Sequence, residues 1–139
     1  IRIREINFGV LEGVVCMNDA REYLDPQMKK FFTDPWNFDR PKDGESIRDV
    51  LARTKEFWEE LIHNPKLQDK TILIATHGCC MRALLRNVYE DKNDFWHGGV
   101  PYNCAVSIIE VQNGVSTLLA DNKIYYDPSD CVNFYKEVK

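Results

Sequence analysis

The stretch Thr71-Ile72-Leu73-Ile74-Ala75-Thr76-His77-Gly78 indicates the fold of this chain more clearly than any other part of it. Its apolar run is typical of a strand that helices cover on both faces, so we predict a buried strand over residues 71–76. Gly78 allows a helix to begin directly afterwards. In open α/β sheets, ligands bind outside the carboxyl ends of the strands, where a helix N-terminus directs free N–H groups at an anion. The position of His77 therefore predicts phosphate chemistry, with a core histidine bonded to a backbone carbonyl as the alternative.

The segments around this strand predict helices. Ser46 and Asp49 form a shortened capping box, and the following helix carries an apolar stripe at the 3.6-residue period (Ile47, Val50, Leu51, Thr54, Phe57, Trp58 and Leu61). Asn18 predicts the cap of a short helix through Leu24, and Pro26 begins a further helical turn. The helix after His77 is expected to end near residue 90, with Met81, Leu84, Leu85 and Val88 on one stripe.

The last third of the chain predicts a β-hairpin. Residues 105–111 and 115–120 flank a turn that contains Asn113-Gly114, and Asn-Gly is a strong signal for a tight hairpin turn. The order of helix, buried strand, helix and hairpin predicts an α/β fold. We expect a three-layer α/β/α sandwich whose sheet is mostly parallel, with an antiparallel hairpin at the C-terminus, all in one domain over residues 1–139.

Composition narrows the classes of function. The chain has 139 residues, of which 44% are hydrophobic and 29% charged, and a formal net charge of −4. This balance is that of a soluble globular domain and argues against nucleic acid or an acidic membrane as a partner. The five cysteines (Cys16, Cys79, Cys80, Cys104 and Cys131) show no CxxC spacing, so we expect no zinc site and no disulfide framework. A reducing cytoplasm fits this pattern.

Three motifs together resemble the histidine phosphatase superfamily, also called phosphoglycerate mutase-like. They are Arg4-Glu5-Ile6-Asn7-Phe8-Gly9 with Glu12-Gly13, then Gly44-Glu45-Ser46, then Ala75-Thr76-His77-Gly78. The resemblance implies a phosphomonoesterase that acts through a phosphohistidine. It assigns proton donation to Glu5, phosphate binding to His77 and a backbone N–H contact to Gly78. It implies a small phosphorylated metabolite as substrate, and neither a metal nor an organic cofactor.

The chain departs from the family pattern in one respect that matters for catalysis. The family's nucleophile is the histidine of an Arg-His-Gly motif, and no such motif occurs here, since His63 and His97 lack that context. We therefore expect the fold to be incomplete at the N-terminus, with the nucleophile upstream of Ile1. The partners expected on this basis are the missing N-terminal segment or a second copy in a homodimer.

The same motifs favour a phosphatase over a mutase. Mutases of the family carry Glu-Arg-His-Tyr-Gly where this chain has Glu5-Ile6-Asn7-Phe8-Gly9, and they carry a longer insertion between Gly13 and Gly44. Phosphoryl transfer within a sugar acid remains the enzymatic alternative. A phosphate-binding module without turnover is the alternative from another class.

Several residues have two readings. Glu5 is either the general acid or a surface carboxylate, and Glu45 is a rival acid that more simply serves a turn or the helix dipole. Arg82 and Arg86 are expected to be solvated, with substrate contact as the weaker alternative. Three loop residues, Trp96, His97 and Tyr102, either line the mouth of the site or anchor their loop, and we favour anchoring.

Overall fold

The computed structural model describes residues 2–18, 20 and 22–131. In this part of the chain three α-helices precede a β-hairpin: α1 Pro26–Thr33, α2 Ile47–Ile62, α3 Gly78–Leu85, β1 Val106–Gln112 and β2 Val115–Lys123. Short 3-10 turns lie at Gly9–Leu11, Pro35–Asn37, Pro65–Leu67 and Pro128–Asp130. The mixture of helices and strands is that of an α/β fold. No helix among the described residues is long and apolar enough to cross a bilayer.

The predicted start of a helix at Pro26 and the predicted capping box of α2 are confirmed. The Asp25 carboxylate accepts the N–H groups of Gln27 and Met28 at the start of α1, where Pro26 takes the first helical position. At the start of α2, the Ser46 hydroxyl accepts the Asp49 N–H while the Asp49 carboxylate accepts the Ser46 N–H, which completes the capping box. These local contacts determine where α2 begins.

The C-terminal hairpin is also confirmed. Gln112 pairs with Val115 across the turn, and the antiparallel register continues to Val106 and Lys123 with two irregularities. Asn113 and Gly114 both have positive φ, at 52° and 76°. A two-residue hairpin turn of this kind needs positive φ at both positions, which Asn and Gly adopt at low cost.

The predicted buried strand over residues 71–76 does not form in this structure. The segment has no regular secondary structure, no backbone hydrogen bond joins it to any other residue that the structure describes, and Leu73 is 90% exposed. A strand requires a neighbouring segment that takes its N–H and C=O groups, and the hairpin strands pair only with each other. The three-layer sandwich with a mostly parallel sheet is therefore not confirmed.

The predicted helix from Asn18 to Leu24 is wrong for the residues that can be described, since residues 19 and 21 lie outside them. Met17 and Tyr23 form an antiparallel bridge, and the Leu24 N–H donates to the Cys16 carbonyl at 3.0 Å. The Asn18 side chain bonds both the backbone and the carboxylate of Glu22. Asn side chains compete with helical hydrogen bonds in this way, so Asn18 closes a loop instead of capping a helix.

The helices α2 and α3 pack together and form the centre of the molecule. One buried cluster combines Ile6 with residues of α1, α2 and α3 and with the loop residues Phe95 and Trp96. A second cluster is formed by Trp58, Cys80 and Leu84, with Ile3 and Ile74 packed against it. The segment that contains Glu5 is therefore held beside the two central helices.

Gly9 of the first motif and Gly44 of the second motif are in close backbone contact. At Gly9, where φ is 55°, a Cβ atom would stand 2.2 Å from the Lys42 carbonyl oxygen, and at Gly44 it would stand 2.8 Å from the Asn7 carbonyl oxygen. No side chain fits such a close backbone approach. The two motifs thus bring the segment after Glu5 against the loop that leads into α2.

Candidate active site

The Glu5 carboxylate lies at the N-terminus of α3. Its Oε2 accepts the Cys79 N–H and its Oε1 accepts the Cys80 N–H, both at 3.0 Å, and Oε1 also accepts the Ile6 N–H at 2.8 Å. Helix N-terminal N–H groups and the helix dipole favour a negative charge at this position. The half-buried Glu5 side chain is thus brought to the helix end that follows His77 directly.

His77 and Gly78 supply the remaining polar groups at this helix end. His77 is the N-cap residue of α3, is exposed, and makes no side-chain capping bond. Its ring and the Gly78 N–H have no hydrogen-bond partner among the described residues, whereas the Cys79 and Cys80 N–H groups bond Glu5. The alternative reading of His77, a buried histidine bonded to a carbonyl, is therefore not what the structure shows.

Glu45 and Arg53 form an ion pair that sequence reasoning missed. Arg53 Nε donates to Glu45 Oε1 at 2.8 Å and Nη2 donates to Oε2 at 3.2 Å, with the two side chains only 14% and 12% exposed. Burial alone would raise the pKa of Glu45, but the hydrogen bonds and charge of Arg53, with the Asn7 N–H, hold it below its usual value. These contacts favour a structural part for Glu45 over the rival assignment of proton donation.

Arg53 also holds the chain on the N-terminal side of Glu5. Its Nη1 donates to the carbonyls of Arg2 (2.7 Å) and Arg4 (2.9 Å), and its Nη2 donates to the carbonyl of Glu5 (3.2 Å). The Thr76 hydroxyl donates to the Ile3 carbonyl at 2.7 Å. These bonds fix the backbone of Glu5 between α2 and the segment that ends at His77.

The cysteines beside Gly78, Cys79 and Cys80, are buried in the first turn of α3. Cys79 is 3% exposed and Cys80 is fully buried, and none of the chain's cysteines is in a disulfide. Burial, with the nearby Glu5 charge, raises the pKa of the Cys79 thiol well above its usual value. A buried thiol whose pKa is raised is a poor nucleophile.

The expectation that Arg82 is solvated is wrong, since it is only 2% exposed. Its guanidinium donates to the Gly99 carbonyl, to the Tyr89 hydroxyl and to the Asp121 carboxylate. Burial alone would raise the pKa of Asp121, but hydrogen bonds from Ser107, Tyr89 and Arg82, together with the Arg82 charge, lower it. Arg82 is thus a structural cation that joins α3 to a loop and to the hairpin.

The loop after α3 is anchored in the core, as favoured above. Trp96 is buried, and its Nε1 donates to the Phe31 carbonyl at 3.0 Å. The His97 ring stacks on Tyr89 with centroids 3.5 Å apart, and the Tyr102 N–H donates to the Asn122 side chain. Val100 and Pro101 then lie against Gly78, where a Cβ would be 3.2 Å and 3.8 Å from them.

A separate cleft of about 500 Å³ lies beside the start of α2 and includes none of Glu5, His77 and Gly78. Its lining combines Arg4, Arg40 and Arg53 with Asp43, Glu45, Asp49 and Glu56. Arg4 and Arg40 are at least half exposed, and each is 3.5–3.7 Å from a carboxylate. These acidic partners make the cleft the weaker candidate for an anion. Within the described residues, no group of His, Cys, Asp or Glu side chains could hold a metal ion.

Comparison with known proteins places the chain in a family. The model of the histidine phosphatase superfamily (branch 1) matches residues 1–123, and the chain belongs to this superfamily. The 2,3-bisphosphoglycerate-dependent phosphoglycerate mutases of Neisseria meningitidis serogroup B and Neisseria gonorrhoeae are each 27% identical over 110 residues. Those matches cover 63% of this chain and 48% of each mutase, so the chain spans about half the length of these curated relatives.

Proposed function

We propose that this chain provides the phosphate-binding and proton-donating part of a histidine-type phosphomonoesterase. The observation that carries the proposal is the position of the Glu5 carboxylate on the Cys79 and Cys80 N–H groups, at the helix end that His77 caps. The N-terminal turn of α3 thus brings together the Glu5 carboxyl group, the exposed His77 imidazole and the Gly78 N–H group. Phosphoryl transfer needs positioned donors and an acid more than it needs any other chemistry.

The proposed reaction has two displacements. A histidine that is not in this chain attacks phosphorus, so that a P–N bond forms while the P–O bond to the alcohol breaks. Glu5 gives its proton to the departing oxygen, so that the alcohol leaves as a neutral molecule. His77 and the Gly78 N–H bind the phosphate oxygens. Water then attacks the phosphohistidine, and inorganic phosphate leaves.

The histidine nucleophile is proposed to come from another segment, in a longer polypeptide or a second chain. Two observations support this: the chain has no Arg-His-Gly motif and spans about half the length of its relatives. The backbone groups of residues 71–76 bond no described residue, so this apolar segment can pair with a neighbouring strand. A homodimer through this edge is the alternative association. The free cysteines fit a reducing cytoplasm. The substrate proposed from the family resemblance is a small phosphorylated metabolite.

The second candidate function is a phosphoglycerate mutase, and the names of the relatives favour it. A mutase would return the phosphoryl group to the sugar acid instead of passing it to water. The phosphatase reading is supported by Ile6-Asn7-Phe8, which stands where the family's mutases carry Arg-His-Tyr. In this structure the Asn7 N–H donates to the Glu45 carboxylate and the Asn7 side-chain amide donates to the Asp43 carbonyl, so Asn7 binds the loop that leads into α2.

The proposal is tested on a polypeptide in which this chain follows a segment with an Arg-His-Gly motif. We expect release of inorganic phosphate from an aryl phosphate and an acid-labile phosphohistidine on mixing with substrate. The His77→Asn change should reduce turnover about a hundredfold, because one donor to the transferred phosphoryl group is lost. His63→Asn is the matched control, because His63 is exposed at the far end of α2.

Other outcomes would contradict the phosphatase reading. Interconversion of phosphoglycerates that depends on 2,3-bisphosphoglycerate, without net release of phosphate, would establish the mutase. Phosphate binding with no turnover of either kind would establish the binding module. Equal turnover in the His77→Asn and His63→Asn variants would remove His77 from the site.

A further inference from the structure

Arg82 connects three parts of the molecule through one buried guanidinium. It lies on α3, one helical turn after the Gly78 end. Its Nε and Nη2 donate to the Gly99 carbonyl at 3.2 and 3.0 Å, and its Nη1 donates to Asp121 Oδ2 at 3.1 Å and to the Tyr89 hydroxyl. With 2% exposure, this cation is outside solvent and depends on these acceptors.

The acceptors are themselves fixed. The Tyr89 hydroxyl donates to Asp121 at 2.8 Å, and the Ser107 hydroxyl donates to the other Asp121 oxygen at 2.7 Å, so the hairpin is tied to the same network. The planar guanidinium serves acceptors in several directions at once, with a geometry that an ammonium group cannot reproduce. A lysine at this position would keep the positive charge but lose the planar set of N–H donors.

The bonds from Arg82 to Gly99 connect Arg82 with the candidate site through the loop that follows Gly99. Gly99 has a φ of 139°, and its own N–H donates to the Trp96 carbonyl at 3.1 Å. The next two residues, Val100 and Pro101, are the ones that lie against Gly78. Arg82 thus holds the carbonyl immediately before the two residues that pack against Gly78 where a Cβ atom would stand.

We propose that Arg82 is a positioning residue, which places the 98–101 loop against Gly78 and so sets the space in which phosphate oxygens meet the Gly78 N–H and His77. The part that concerns phosphate rests on the proposed function. The part that concerns the loop and Gly78 stands independently of it. Arg82 touches no reacting group in this account and acts only through the loop.

The test compares Arg82→Lys with Arg86→Lys in the full 139-residue chain. Arg86 follows on the same helix, but its contacts are with Lys92 and Trp36, away from the 98–101 loop. We expect Arg82→Lys to speed hydrogen exchange of the Gly99 amide at least tenfold and to shift the Gly78 amide resonance. The dissociation constant for inorganic phosphate should rise about tenfold. The Arg86→Lys chain should match the unaltered one in all three measurements.

A folded Arg82→Lys chain with unchanged Gly99 exchange and an unchanged Gly78 resonance would overturn the proposal. If Arg82→Lys does not fold, Tyr89→Phe decides by the same two readouts, because it keeps the ring that stacks on His97 and removes only the hydroxyl. If the unaltered chain binds no phosphate, the proposed function loses its support at this site. Gly99 exchange and the Gly78 resonance still decide the role of Arg82.

Discussion

Replacing Glu45 with glutamine is expected to lower the free energy of unfolding by about 3 kcal/mol at pH 7, because it leaves the Arg53 guanidinium without its counter-ion in a largely buried place. The loss reaches beyond one pair. Arg53 also binds the carbonyls of Arg2, Arg4 and Glu5, so a displaced guanidinium releases the segment that carries the proposed acid. Urea unfolding at pH 7 measures the effect.

The same pair predicts how stability depends on pH. The pKa of Glu45 is lower in the folded chain than the usual value of 4.5, so the folded state favours the ionised form. Its contribution to stability is therefore fully present above about pH 4.5 and is lost as the pH falls through the folded pKa. The difference between Glu45→Gln and the unaltered chain should shrink as the pH is lowered to 3.

Glu60→Gln is the matched control for this prediction. Glu60 is on the same helix and pairs with Arg2 at 2.7 Å, but its side chain is 66% exposed. Exposed pairs contribute little, so we expect a change below about 0.5 kcal/mol at either pH. Equal effects of Glu45→Gln and Glu60→Gln at pH 7 would contradict this prediction, because they would show that burial of the Glu45–Arg53 pair adds nothing to the free energy of unfolding.

The acid role of Glu5 can be tested in the polypeptide in which this chain follows a segment with an Arg-His-Gly motif. Replacing Glu5 with glutamine there should slow hydrolysis of alkyl phosphates about a thousandfold and of aryl phosphates far less. An alkoxide leaves poorly without a proton, whereas a phenolate leaves without much help from an acid. The measurement is the ratio of kcat/KM for the two ester classes. This ratio is insensitive to partial unfolding, because both substrates report on the same folded fraction.

The ratio matters because Glu5→Gln also weakens the N-terminus of α3. A glutamine offers one oxygen where the carboxylate now accepts N–H groups on two, from Cys79 and Cys80. Glu12→Gln is the control, because Glu12 is in the same segment and, among the residues that the structure describes, its carboxylate accepts only the Phe8 N–H. Equal slowing of both ester classes by Glu5→Gln would remove Glu5 from the acid role and leave it as a cap.

The elements that were predicted correctly depend on short-range chemistry. Ser46 and Asp49 satisfy each other within one turn, and Asn113-Gly114 adopts the φ values of its turn without help from distant residues. The pairing of Glu5 with the His77 end came from the family resemblance. No local signal connects residues 74 or 75 positions apart, such as Glu5 and the amides of Cys79 and Cys80.

The errors arise where tertiary contacts decide. The apolar run at residues 71–76 predicts a buried strand by composition, but pairing depends on a neighbour that its own residues do not specify. Arg82 did leave a signal: it is the only charged residue in the helix Gly78–Leu85, which is otherwise apolar on all sides. A helix that is apolar all round is buried, so its one arginine had to be buried and paired. Arg53 only borders the apolar stripe of α2 and left no such signal.

The proposed function requires Glu5, His77 and Gly78 to form one phosphate site at the N-terminus of α3. An NMR titration of the full chain with inorganic phosphate tests it most directly. A single phosphate site predicts that the Gly78 amide and the His77 ring signals move together with one dissociation constant. It is contradicted if these signals stay fixed while the amides of residues 43–45, beside Arg4 and Arg40, move instead.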